Sequence, residues 1–238
     1  MSSREERASR ERPQYRVIVG LAVGVVGLAT ILQSSDPLIF PRFIGRTHPL
    51  IAVPLVSALG IVLLSWLLRR GWFTIYKREH HKWLWRCLAL GALFALVTVA
   101  LDLKVVFPAD INVALPAALL FYPAIGFVVE IVFHVLPLSA LLFALSAMPR
   151  IISHQRATVM AIVIVSLVEP VFQTIPMAAS HHYPVWAVVF LGLYLSAFNG
   201  FQLLIFRRYD FLTMYAARLG YCLVWHIVWG QLRLQILF

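Results

Sequence analysis

The chain has 238 residues, 61% hydrophobic and only 13% charged, with a mean hydropathy of +0.86. A soluble domain is near half apolar and a quarter charged, so a water-soluble globule is excluded and lipid must cover the surplus apolar surface. The formal charge of +10 does not indicate nucleic acid, because the basic residues sit at the ends of apolar runs and not on one soluble face; anionic lipid headgroups are the expected partners.

In chain order, the N-terminal stretch MSSREERASRERPQYR mixes charges of both signs and is expected to be a disordered cytoplasmic tail over 1–15. No small-residue cleavage site follows the first apolar run, which therefore reads as a retained helix and not a signal peptide. About 20 apolar residues in helix cross a bilayer core. Runs at 17–32, 50–68, 87–107, 113–148, 157–175, 185–206 and 212–234 approach or exceed that length. The first is the shortest. Together they predict an all-α, polytopic transmembrane bundle, with residues 16–238 as a single domain. Cys87 and Cys222 both lie inside apolar runs, so no disulfide framework is implied.

The run at 113–148 is long enough for one span or two, and Pro116, Pro123 and Pro137 punctuate it. Loop charges decide between them. With one span, the basic residues of 69–86, Arg150, Arg156, Arg207 and Arg208 share the side of the N-terminus, while the loop PMAASHHYP opposite carries no lysine or arginine. The positive-inside rule then predicts one span from about 124 to 148, a short lead-in helix before Pro123, and a cytoplasmic N-terminus. Arg42, Arg46 and Arg233 are exceptions. The aromatic and basic segment RRGWFTIYKREHHKWLWR reads as an interfacial helix or loop against headgroups.

Ionisable groups cost roughly 2.5–3.5 kcal/mol each in a bilayer, so each needs a reason. Glu130 and His134 are four apart and share a helix face; Glu169 and Gln173 repeat that spacing, and His226 stands among Trp225, Ile227 and Val228. With alternating helix directions, Glu130, Glu169 and His226 fall within about 3 Å of one depth. Carboxylates, imidazoles and an amide in a dry site suit activation of water, with a carboxylate as base and an imidazole stabilising an oxyanion. Glu130, His134, Glu169 and His226 could instead hold a divalent metal. The bland alternative is mutual satisfaction that locks helix packing. Elsewhere, His80 with His81 and His181 with His182 read as solvated loop residues. Asp102 and Lys104 read as a pair or as snorkelling groups, and Asn199-Gly200 as a close helix contact.

Three stretches, GFVVEIVFHVLP, SLVEPVFQ and RRYDFLTMYAARLGYCLVWHIVWG, resemble the motif regions of the CAAX protease and bacteriocin-processing (CPBP, or Abi) family, over about 87–234. That family carries Glu-Glu-x-x-x-Arg, Phe-x-x-x-His and His-x-x-x-Asn on successive helices. Aligned on Phe133, the resemblance places Val129 and Glu130 on the two glutamates and His134 on the arginine. Glu169 and Gln173 fall on the second motif, and His226 and Gly230 on the third. It implies an intramembrane endopeptidase acting on a membrane-embedded or lipidated peptide, with Glu130 or Glu169 activating water and His134, Gln173 and His226 stabilising charge or binding metal. The substituted motif positions leave open a catalytically inert relative that binds partners in the membrane. A metal or haem site on His134 and His226 is the third reading.

Overall fold

The structure, a computed structural model, describes residues 3–45, 47–147, 152–180 and 182–238. Arg46, Arg150, His181 and the side chain of Arg42 lie outside the described residues. All regular structure among those described is helical. In lipid the backbone must satisfy its own hydrogen bonds, and a helix does so within one segment.

Seven helical spans are long and apolar enough to cross a membrane among the described residues. Helix α1 (Ser3–Ser35) is followed by a short α2 (Ile39–Ile44), then α3 (Pro49–Arg69) and α4 (His81–Val105). The fourth span joins α5 (Ala118–Val129) to α6 (Leu136–Ser146), and the fifth joins α7 (His154–Val165) to α8 (Val168–Ala179). Helix α9 (Val185–Arg208) is the sixth. The last span runs through α10 (Phe211–Cys222) and α11 (Trp229–Ile236). Its apolar stretch is 67% buried against 28% for each of the first three spans, which makes it the central helix of the bundle. Val23, Leu55, Phe143 and Leu193 point outward, as lipid-facing positions should.

Helix α1 begins at Ser3, upstream of the tail boundary drawn at residue 15 from the sequence. It also meets the body early, since Gln14 Oε1 accepts from Ile75 N at 2.9 Å. The 113–148 run makes one span, as loop charges predicted, but with no separate lead-in helix ending at Pro123. A 3₁₀ turn at Ala109–Ile111 precedes it, and α5 carries Pro123 inside. A membrane helix tolerates an interior proline where neighbouring groups satisfy the backbone, and here Tyr215 on the last span donates its hydroxyl to Pro123 O at 2.7 Å.

Contacts at the helix ends show that the spans alternate in direction. At the N-terminal end, Phe211 N and Leu212 N donate to Thr74 O and Ile75 O, and Trp72 stacks on His154 at 3.6 Å. At the other end, Phe107 meets Tyr183 and Phe43 meets Phe121. The 69–86 segment does not simply rest on headgroups: Phe73 and Ile75 are buried. His80, expected to be solvated, places Nδ1 3.0 Å from Asp210 Oδ2. Asp210 also caps α10, with Oδ1 accepting from Thr213 N and Thr213 Oγ1 and Oδ2 from Lys77 N. The free acceptor capacity of a capping carboxylate draws the histidine in.

Helices α4 and α10 pack backbone to backbone. A Cβ added at Gly91 would lie 1.9 Å from Ala217 O, and one at Gly220 would lie 1.9 Å from Leu88 O. Small residues permit such an approach. The contact expected at Asn199-Gly200 is ordinary by comparison, with Ser166 Cβ 3.7 Å from a Cβ built at Gly200.

Asp102 pairs with Arg233 and not with Lys104. Arg233 Nε and Nη2 donate to Oδ2 and Oδ1 at 2.7 and 2.8 Å, and Trp229 Nε1 donates to Oδ2 at 2.7 Å. Both charged residues are fully buried. Arg233 also donates to Phe107 O and Pro108 O, which fastens the loop after α4 to α11.

Candidate functional site

Two π-helical turns interrupt the spans, at Glu130–Val135 and Leu223–Val228. Such turns change the register of the side chains that follow and recur at functional positions. The first carries Glu130 and His134 and the second carries His226. These residues were singled out by polarity alone, without any sign of the irregular backbone.

Glu130, His134, Glu169 and Gln173 come together, as their spacing suggested. The group that joins them is Arg218, on α10. Its Nε donates to Glu130 Oε1 at 2.9 Å, Nη1 to Glu169 Oε1 at 3.0 Å and Nη2 to Glu169 Oε2 at 2.7 Å. Gln202, on α9, donates to Glu130 Oε1 at 2.5 Å, and Gln173 donates to Glu169 Oε1 at 2.9 Å. His134 Nδ1 lies 2.8 Å from Glu130 Oε2 and Nε2 4.0 Å from Glu169 Oε2. These are close contacts and not hydrogen bonds, since neither ring nitrogen has an aligned partner. Glu130, His134, Glu169 and Arg218 are all buried. Two carboxylates face one guanidinium, with an imidazole between them, so the net charge held in the bundle is small. That balance is what lets four ionisable groups share a dry site.

His226 does not join this cluster. Its Nδ1 lies 2.7 Å from Asn112 Oδ1, and its ring stacks on Tyr122 at 4.4 Å and 17°. The two sets of residues nevertheless face one cavity of about 280 Å³, whose wall includes Val129, Glu169, Gln173, Arg218, Trp225 and His226. Glu130 and His134 are not on that wall. Gln173 is exposed on α8, so the cavity reaches the lipid-facing side of the bundle.

A metal fits this arrangement poorly. Among the described residues no three His, Cys, Asp or Glu side chains are grouped to hold one. Arg218 stands between the carboxylates where a cation would have to sit, and His226, expected as a ligand with Glu130, His134 and Glu169, turns to Asn112 instead. A haem on His134 and His226 fares no better, since His134 is enclosed by the two acids.

Three participants were missed by sequence reasoning. Arg218 carried a usable signal, because it lies inside the span Phe211–Ile236 and a charge there needs a partner as much as Glu130 does. Gln202 and Asn112 carried less, being neutral: the span of Gln202 was read for length and for Asn199-Gly200, and Asn112 lies in a loop outside the apolar runs. The side chain on Val129 is apolar, as the sequence already showed, and Gly230 opens room that Asn112 fills: a Cβ at 230 would lie 3.1 Å from Asn112 Cγ.

No family model matches the chain, and neither a curated protein nor a solved structure matches it.

Proposed function

We propose that this chain is an intramembrane hydrolase, a divergent endopeptidase of the CPBP kind, that cleaves a membrane-embedded or lipidated peptide. One observation carries the reading: Glu169, Gln173, Arg218 and His226 share a cavity within the membrane-spanning bundle that is otherwise lined by apolar and aromatic side chains. A small number of convergent polar groups in an apolar pocket is the usual form of a site that orients a substrate. The exposed edge at Gln173 supports entry of the substrate sideways from lipid.

The carboxylate on the cavity wall is Glu169, which narrows the choice between it and Glu130. Oε2 of Glu169 accepts one hydrogen bond, from Arg218, and a carboxylate oxygen can accept two. It can therefore hold a water molecule. His226 takes the proton of that water as its oxygen adds to the scissile carbonyl carbon, and returns it to the leaving nitrogen when the carbon–nitrogen bond breaks. The guanidinium of Arg218 and the carboxamide of Gln173 are the donors on the same wall that face the oxyanion. Orientation follows from charge. Arg233 is buried inside α11 and is not a loop charge, so it does not count against a cytoplasmic N-terminus, the side that holds the basic 69–86 segment.

A second reading, a catalytically inert partner-binding relative, draws on the hydrogen bonds that Arg218, Gln202 and Gln173 already give to both acids. Purified protein in lipid nanodiscs, offered a quenched-fluorescent library of apolar and lipid-modified peptides, separates the two. Turnover by the wild type that falls about 10²-fold or more in His226→Ala, with the variant folded, supports the hydrolase. Equal signals from wild type and variant overturn it.

A further inference from the structure

We infer that Asn112 is a positioning residue that holds His226 in the tautomer whose Nε2 is a free acceptor towards the cavity. The inference rests on the hydrolase reading for its purpose but not for its geometry. Asn112 comes from the loop between α4 and α5, far in sequence from His226, and meets Nδ1 of the ring at 2.7 Å through Oδ1. Its amide is held on several sides. The Tyr122 hydroxyl accepts from Val113 N at 2.8 Å and donates to the same Oδ1 at 3.4 Å. The residue at 230 has no side chain, and Asn112 Cβ, Cγ and Nδ2 all lie 3.1 Å from where a Cβ would stand. The loop itself is clamped by Arg233, which donates to Phe107 O and Pro108 O, and by Asp102, which accepts from Phe107 N.

With the amide oxygen facing the ring, Nδ1 is the protonated nitrogen, and the lone pair is on Nε2. No hydrogen bond from the described residues reaches Nε2, and His226 lines the cavity. Tyr122, stacked on the imidazole, keeps the ring from turning out of that position. An aspartate here would fix the same tautomer and add a charge to the membrane interior; an asparagine fixes it without one.

The test is a two-bond ¹H–¹⁵N spectrum of ¹⁵N-histidine-labelled protein in nanodiscs, with His226 assigned by its loss in His226→Gln. The wild type is expected to show the proton on Nδ1. Asn112→Ala should release the ring to the preference of free imidazole for a proton on Nε2, and Gly230→Ala should do likewise by pushing the amide aside. Asn112→Asp should keep the proton on Nδ1. A wild-type ring protonated on Nε2, or a tautomer unchanged in Asn112→Ala, overturns the inference. On a cleaved peptide, Asn112→Ala should lower kcat about 10-fold or more with KM little changed, and Asn112→Asp should restore part of it. A correct tautomer in a protein that cleaves nothing would refute the hydrolase reading alone.

Discussion

Arg218 and Glu169 meet as two parallel hydrogen bonds, Nη1 to Oε1 at 3.0 Å and Nη2 to Oε2 at 2.7 Å, while the remaining edge of the same guanidinium is spent on Glu130. One residue of α10 thereby ties the fourth span to the fifth through their acids. Because the fork is planar and its donors are fixed, the two acids are held at a set separation, and Glu169 is held at the cavity wall.

Removing that fork should leave two buried carboxylates without a counter-charge. Arg218→Met is expected to destabilise the protein by about 3–5 kcal/mol, read as a lower unfolding temperature in detergent. Adding Glu130→Gln and Glu169→Gln to this variant should recover part of the loss. Arg218→Lys should behave closer to Arg218→Met than to wild type, since an ammonium cannot fork.

The Asp102–Arg233 pair should obey the same logic at the other end of the bundle. Asp102→Leu or Arg233→Leu alone is expected to cost about 3–5 kcal/mol, and the double variant less than either single change, because no charge is then stranded. Thermal unfolding of the three variants measures it. A double variant worse than both singles would mean the loop carbonyls held by Arg233 matter more than its charge.

Gly91→Ala and Gly220→Ala should each force α4 and α10 apart and cost about 1–3 kcal/mol, since the new methyl would meet a carbonyl oxygen at 1.9 Å. Gly20→Ala, where nothing lies within 4 Å, serves as the control. Its unfolding temperature should stay the same or rise.

What could be read in the sequence, and what could not, follows from the range of each physical signal. Hydropathy fixed the number of spans because lipid acts on every residue of a helix alike. The pairs Glu130–His134 and Glu169–Gln173 were legible because four residues bring side chains to one helix face. Arg218 lay in plain view inside the last apolar run and was passed over, when its depth should have marked it as the partner of the acids. Glu169 and His226 line one cavity, and Glu130 touches it only through Arg218; depth alone says nothing of rotation about the helix axis. The π-helical turns set that rotation and gave His226 to Asn112. Asn112 itself could not be found, because its position depends on a loop clamped by Arg233, a contact between residues 125 apart that no local pattern encodes.

Asp210→Ala should remove an N-cap and the acceptor for Lys77 N and His80 together. A cap alone contributes about 0.5–2 kcal/mol, so the loss is expected at or above the upper end of that range. Hydrogen exchange of the amides of 74–77 and 211–214 should quicken in the variant if the two segments are tied through this carboxylate.

The central claim, that the shared cavity cleaves peptides within the membrane, is tested most directly in cells making the protein from its own sequence. Mass-spectrometric mapping of peptide termini in the membrane fraction should compare wild type with His226→Gln, which keeps the acid–guanidinium cluster intact. The account predicts termini inside or beside membrane segments that appear with the wild type and vanish with His226→Gln at equal protein level. Identical termini in both would contradict it.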